Sequence, residues 1–155
     1  DPEDLVSRVV YLLENPVEMQ HLGKINGQTF DRELTPKSIL LRESSDRPIL
    51  TDMELAKVAA GAPTVSPEEW PDDPYRALEV TGNSPIDVRA DIYSWGRIFV
   101  QAATGHLPER GEETLPEGDD IPAAVREIVL QSVELLPADR PASMEAVLKA
   151  LKGWI

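Results

Sequence analysis

At 155 residues, 41% hydrophobic and 28% charged, the chain is long enough for one domain with its own apolar core and too short for two. Its net charge of −13 repels phosphate backbones and anionic lipid, so we expect neither nucleic acid nor a membrane among its partners. It contains no cysteine, which excludes disulfides, thiolate zinc sites and cysteine nucleophiles and fits a cytoplasmic location. No apolar run of about 18 residues and no signal-peptide pattern is present. The chain starts at Asp1 and not at methionine, so we expect a piece of a larger protein.

Taken in chain order, Leu5, Val6, Val9, Val10, Leu12 and Leu13 recur at helical spacing and predict a helix over Pro2 to Asn15, ended by Pro16. A second helical stretch runs from Val17 to Ile25 and breaks at Asn26-Gly27. Two short apolar runs, Ser38 to Leu41 and Pro48 to Thr51, suit the arms of a small β-hairpin. From Asp52 to Pro85 the pattern is mainly loop, punctuated by Pro63, Pro67, Pro71 and Pro74, with Glu54 to Ala60 a candidate helical turn. Pro85 to Thr104 is strongly helical: Ile92, Trp95, Phe99, Ala102 and Ala103 share a face, and Gly105 stands where helices end. A loop rich in Pro, Gly and Glu leads to a helix carrying Val125, Ile128, Val129, Ser132, Val133 and Leu136 in register. Ser143 is placed to cap a last helix, Met144 to Lys152. The expected fold is mainly α with a small β-hairpin.

Two segments read together resemble a known family. Asp31-Arg32-Glu33-Leu34-Thr35-Pro36-Lys37-Ser38-Ile39-Leu40-Leu41 is similar to the protein-kinase catalytic loop H-R-D-L-K-P-x-N-I-L-L. Leu50-Thr51-Asp52-Met53-Glu54-Leu55-Ala56-Lys57 follows at the expected distance and resembles the metal-binding segment L-T-D-F-G-L-A-K. Downstream, Ala77-Leu78-Glu79 is similar to the A-P-E that ends the activation segment. Asp91 to Gly96 resembles the D-x-x-S-x-G of the central helix, Thr104 to Pro108 the T-G-x-x-P after it, and Pro137 to Pro141 the turn before the last helix. The resemblance covers Val17 to Ile155 and implies a helical domain like the C-terminal lobe (C-lobe) of a protein kinase, lacking the N-lobe.

Phosphoryl transfer needs a phosphate-covering loop, a lysine, metal-binding groups and a base for the acceptor hydroxyl. About thirty residues precede the catalytic-loop match, and they contain no G-x-G-x-x-G, so we expect no N-lobe here. Glu33 stands where the family has its aspartate base, and a displacement near 1 Å can cost on the order of 100-fold in rate. Thr35 replaces the catalytic-loop lysine, Ser38 the asparagine metal ligand, and Asp31 a structural histidine. Asp52 keeps the metal-binding aspartate, but Met53-Glu54 replaces Phe-Gly, so a turn or cap role competes with a magnesium role. We therefore expect no catalysis, no metal and no cofactor: a pseudokinase.

The scaffold positions of the family are kept. The resemblance implies that Asp91 accepts hydrogen bonds from the backbone near Arg32, and that Glu79 and Arg140 form a buried ion pair. Between Pro108 and Ile121 stand twelve residues, too few for the docking helix that kinases place there; the acidic stretch Glu109 to Asp120 reads as a solvated loop. An uncovered C-lobe leaves a face open, which the first helix (residues 1–16), a protein partner, a neighbouring domain or a second copy could cover. Trp70 and Tyr75, in the segment where kinases hold substrate, are candidate interface residues, although for Trp70 the favoured reading is an anchor of its own loop. The leading expectation is a non-catalytic scaffolding or regulatory module. The alternatives are a divergent serine/threonine kinase fragment, whose N-lobe lies upstream or on a partner and which uses Glu33 and Asp52, and a helical regulatory domain fused to functional ones.

Overall fold

A computed structural model describes residues 29–30, 34–41, 48–50, 57–58, 72–81, 86–118, 120–152 and 154. The described part is mainly helical. The elements are β1 (Thr29–Phe30), β2 (Ile39–Leu41), β3 (Pro48–Leu50), β4 (Lys57–Val58), α1 (Arg89–Thr104), α2 (Ala123–Ser132) and α3 (Met144–Leu151), with 3-10 turns at Pro36–Ser38, Leu78–Thr81 and Pro137–Asp139. The expected helices at Pro2 to Asn15 and Val17 to Ile25 lie outside the described residues.

β2 and β3 pair antiparallel, Ile39 opposite Leu50, Leu40 opposite Ile49 and Leu41 opposite Pro48. The residues between them, 42–47, lie outside the described residues, and with them the turn of the expected hairpin. β1 and β4 form a second antiparallel pair, Thr29 opposite Val58 and Phe30 opposite Lys57. This corrects the expected helical turn over Glu54 to Ala60 at Lys57 and Val58. Those two residues are strand because a partner nearly thirty positions away supplies the hydrogen bonds, and no local periodicity announces such a partner.

The helix α1 is the centre of the core. Every residue from Ile92 to Val100 is buried, so the helix is covered on all sides and not along one stripe. It begins four residues later than Pro85 because Asp87 ends the preceding chain: its carboxylate accepts the amide of Arg89 at 2.8 Å and its carbonyl that of Ala90 at 3.1 Å. It stops at Gly105, whose φ of +77° is left-handed and whose amide donates to Gln101 O at 2.8 Å. Around α1 lie Val125 and Val129 of α2, Val133 beyond it, Val147 and Leu151 of α3, and Leu34, Ala77 and Val80 from the preceding chain. Fully burying a side chain such as Ile98 or Phe99 stabilises the fold by about 1.5–3 kcal/mol. Phe99 also sits between two indoles, with ring centroids 5.6 Å from Trp95 and 6.0 Å from Trp154.

Gly96 allows α1 and the end of α2 to approach. A Cβ at this position would stand 2.8 Å from Val133 Cγ1 and 3.0 Å from Ser132 Cβ. α2 ends at Ser132, earlier than the register through Leu136 predicts. Pro137 disfavours helical geometry at the residue before it, and Leu136 is extended (φ −87°, ψ 126°) and exposed. α3 starts as expected on Ser143, whose hydroxyl accepts the amide of Ala146 at 3.4 Å. Residues 105–122 contain no helix among the described residues. No described helix is long and apolar enough to cross a membrane.

Candidate functional site

The segment that resembles the catalytic loop is described from Leu34 onward; Arg32, Glu33 and Asp52 lie outside the described residues. Pro36 opens a 3-10 turn, Pro36–Ser38, that folds Ser38 back on Thr35. The Thr35 amide donates to the Ser38 hydroxyl at 2.9 Å, and that hydroxyl donates to the Thr35 carbonyl at 2.9 Å. The two side-chain oxygens stand 3.5 Å apart. Ser38 is buried, and its hydroxyl is held within the turn by these bonds. Local backbone capture of this kind is what short hydroxyl side chains do best. The position at which the kinase resemblance puts an asparagine metal ligand is therefore occupied by a group engaged in closing a turn.

Glu79 and Arg140 are joined in the interior. Arg140 Nη1 donates to Glu79 Oε1 at 2.6 Å and Nη2 to Oε2 at 3.1 Å, the two-pronged geometry that a guanidinium and a carboxylate favour. The side chains are 1% and 8% exposed, so both charges are desolvated. The same guanidinium donates to the carbonyls of Arg89, Glu134 and Leu135, and stacks over the Tyr93 ring at 4.6 Å. One side chain thus fastens the 78–81 turn to the start of α1 and to the chain before α3. Asp91 sits half-buried in the first turn of α1; its expected neighbour Arg32 is outside the described residues.

Trp70 also lies outside them. Tyr75, the other candidate interface residue, is half-buried against the core and donates its hydroxyl to Gln101 Oε1 at 2.6 Å. Burial, partly offset by that bond, raises its phenol above the usual range. In this structure it acts as an internal anchor of the 72–77 segment.

A second buried ion pair escaped the sequence reading. Arg97, in the middle of α1, pairs with Glu113 of the following loop, and both side chains are buried. Arg97 Nη2 also donates to Pro108 O at 2.7 Å, and Nε to Pro74 O at 3.1 Å. Nearby, Arg110 donates to the carbonyls of Asp73 at 2.7 Å and Arg76 at 3.3 Å. The stretch Glu109 to Asp120 is therefore not merely a solvated loop, because its centre is strapped to α1 and to the 72–77 segment. A signal was present: Arg97 interrupts an otherwise apolar turn, Trp95 to Val100, and a cation in a helix buried all round requires a carboxylate. Tyr93 lies beside this network, and burial raises its phenol as well, with Arg97 pulling in the opposite direction.

Among the described residues no group of three or more His, Asp or Glu side chains stands together in a way that could hold a metal ion. Among the described residues the geometry is that of a tied frame: two buried ion pairs, the Ser38 hydroxyl closed on backbone, and two phenols whose pKa burial raises.

Over most of its length the chain is distantly similar in sequence to serine/threonine protein kinases. The serine/threonine-protein kinase PknK of Mycobacterium tuberculosis is 29% identical over 140 residues, 80% of this chain and 12% of that protein. A probable serine/threonine-protein kinase of Clostridium acetobutylicum is 25% identical over 138 residues, 79% of this chain and 21% of its own length. The chain thus spans between about an eighth and a fifth of these relatives. No family model matches it.

Proposed function

We propose that the chain is the C-lobe part of a pseudokinase and works as a non-catalytic protein-interaction module, scaffolding or regulating a protein partner or neighbouring domain. The observation that carries the reading is the Thr35–Ser38 turn. Where a kinase needs a lysine and an asparagine facing phosphate and metal, the Ser38 hydroxyl is bonded to both the amide and the carbonyl of Thr35. The substitution of Glu33 for the aspartate base and the loss of Phe-Gly after Asp52 support it from the sequence. The ties that keep such a lobe folded, Glu79–Arg140 above all, are in place. A cytoplasmic location, and self-association through the face where an N-lobe packs, belong to the same proposal.

The similarity to serine/threonine kinases favours a second reading, a divergent kinase fragment completed elsewhere in the protein or by a partner. Thermal denaturation of the full-length protein with and without magnesium and ATP separates the two, alongside a radiolabelled phosphate-transfer assay. The non-catalytic reading expects no shift and no incorporation; a magnesium-dependent shift with transfer abolished by Asp52→Ala would sink it.

A further inference from the structure

Isolated exposed leucines are ordinary on a protein surface, but clustered ones are not. Among the described residues the exposed large apolar side chains are Leu78 at 50%, Leu135 at 40% and Leu136 at 64%. All three flank one buried group. Arg140 Nη2 donates both to Glu79 Oε2, next to Leu78, and to the Leu135 carbonyl, at 3.1 and 2.9 Å. Leu136 follows as the cap of the turn leading into Arg140. The ion pair therefore holds two separate turns, and their leucines, in a fixed mutual position before any partner arrives.

We infer that Leu78, Leu135 and Leu136 form a docking patch for a basic partner segment that carries aliphatic side chains. The rim determines the sign of the partner. Glu134 adjoins Leu135 and Asp139 closes the turn after Leu136, both exposed. Gly111 packs against Leu135, 3.7 Å from its Cδ1 to a Cβ built on the glycine, which brings the exposed Glu112 to the same edge. The neighbouring cations are engaged: Arg89 faces Asp87 at 4.0 Å, and Arg110 donates to the Asp73 and Arg76 carbonyls. A second copy of a chain of net charge −13 would bring this acidic rim against its like, whereas lysines around two or three leucines complement it. A preformed patch loses little entropy on binding.

The inference rests on the protein-binding reading above and adds the surface and the chemistry of the partner. Its test uses three fluorescein-labelled helical peptides: one of lysine and leucine, one with glutamate for every lysine, and one with serine for every leucine. Fluorescence anisotropy with the 155-residue chain should show binding of the first alone, weaker at high salt. The variant L78S/L136S, checked for native circular dichroism, should weaken that binding about tenfold or more. The variant E134Q/D139N should weaken it and flatten its salt dependence. Equal affinity for wild type and L78S/L136S would overturn the inference, since general acidity then does the binding. Self-association in sedimentation that L78S/L136S abolishes would overturn it too, because a second copy then covers the patch. Leucine-dependent peptide binding by a chain that also proves to bind magnesium and ATP would sustain this inference while sinking the non-catalytic reading.

Discussion

Arg140 holds both carboxylate oxygens of Glu79 across 61 residues of sequence, and neither charge reaches solvent to a useful degree. Such a pair contributes little beyond what an apolar pair of similar volume would, yet removing one partner strands the other as an unpaired buried charge. Arg140→Ala also strips donors from the Arg89, Glu134 and Leu135 carbonyls. We expect it to destabilise the fold by roughly 3–5 kcal/mol in urea denaturation. The double variant E79A/R140A should lose clearly less than the sum of the single losses, which a double-mutant cycle would read as a coupling. Additive losses would mean that the two charges are solvated apart.

The Arg97–Glu113 pair should behave differently, because Arg97 keeps other acceptors when the carboxylate is removed. Glu113→Gln keeps the side chain's shape and leaves Arg97 its carbonyl acceptors at Pro74 and Pro108. We expect a global loss of about 1–3 kcal/mol, smaller than for Arg140→Ala. The local effect should be larger. Glu113 Oε2 accepts the amide of Gly111 at 2.7 Å, so hydrogen exchange at Gly111 should accelerate well beyond the change in global stability. Unchanged exchange there would remove the strap from the description of this loop.

How much of this was legible depends on how local each signal is. The helix α1, its stop at Gly105 and the cap at Ser143 follow from spacing and single-residue chemistry; the stop and the cap stand where those signals put them, while the helix starts four residues late, at Arg89. The Glu79–Arg140 pair is invisible to periodicity and was reached only through the kinase resemblance of Ala77-Leu78-Glu79 and Pro137 to Pro141. Arg97 and Glu113 had no such motif, and a charge in a buried helix says that a partner exists without saying where. Leu136 kept the helical register of α2, but Pro137 ended that register, so periodicity alone overran the helix. At Lys57 and Val58 the decisive fact was a strand pairing with Thr29 and Phe30, beyond the reach of any local window.

Alkaline pH should loosen this core through its phenols. Burial raises the folded-state values of Tyr75 and Tyr93 above the 10.0 of a free phenol. Below pH 10 both folded and unfolded chains keep these groups protonated, and the stability is intact. As pH climbs from there through the raised folded values, the unfolded chain releases protons that the folded chain retains, so stability falls. The fall for one phenol approaches about 1.4 kcal/mol per pH unit at its steepest. Melting temperatures of wild type and Tyr93→Phe, compared from about pH 9 to about pH 11, should diverge in slope, with the variant flatter. Parallel curves would mean that the Tyr93 hydroxyl ionises as freely in the fold as outside it.

Gly96→Ala tests how tightly α1 and α2 are pressed together. The new methyl would lie 2.8 Å from Val133 Cγ1 and 3.0 Å from Ser132 Cβ, distances that real carbon atoms reach only by displacement. Helix propensity alone would make the change favourable by about 0.8–1 kcal/mol, because alanine is the better helix former. Overpacking acts against it, at about 1–3 kcal/mol in a well-packed interior. Val133 is β-branched and buried, with little rotameric freedom to withdraw, and Ser132 presents the stem of its side chain, so the steric cost should win. We expect a net destabilisation of about 1 kcal/mol or more in urea denaturation. Val133→Ala removes the nearer of the two opposing carbons but leaves Ser132 Cβ. In combination with Gly96→Ala it should therefore recover part of the loss and not all of it. Full additivity of the two changes would place the helices further apart than the structure has them.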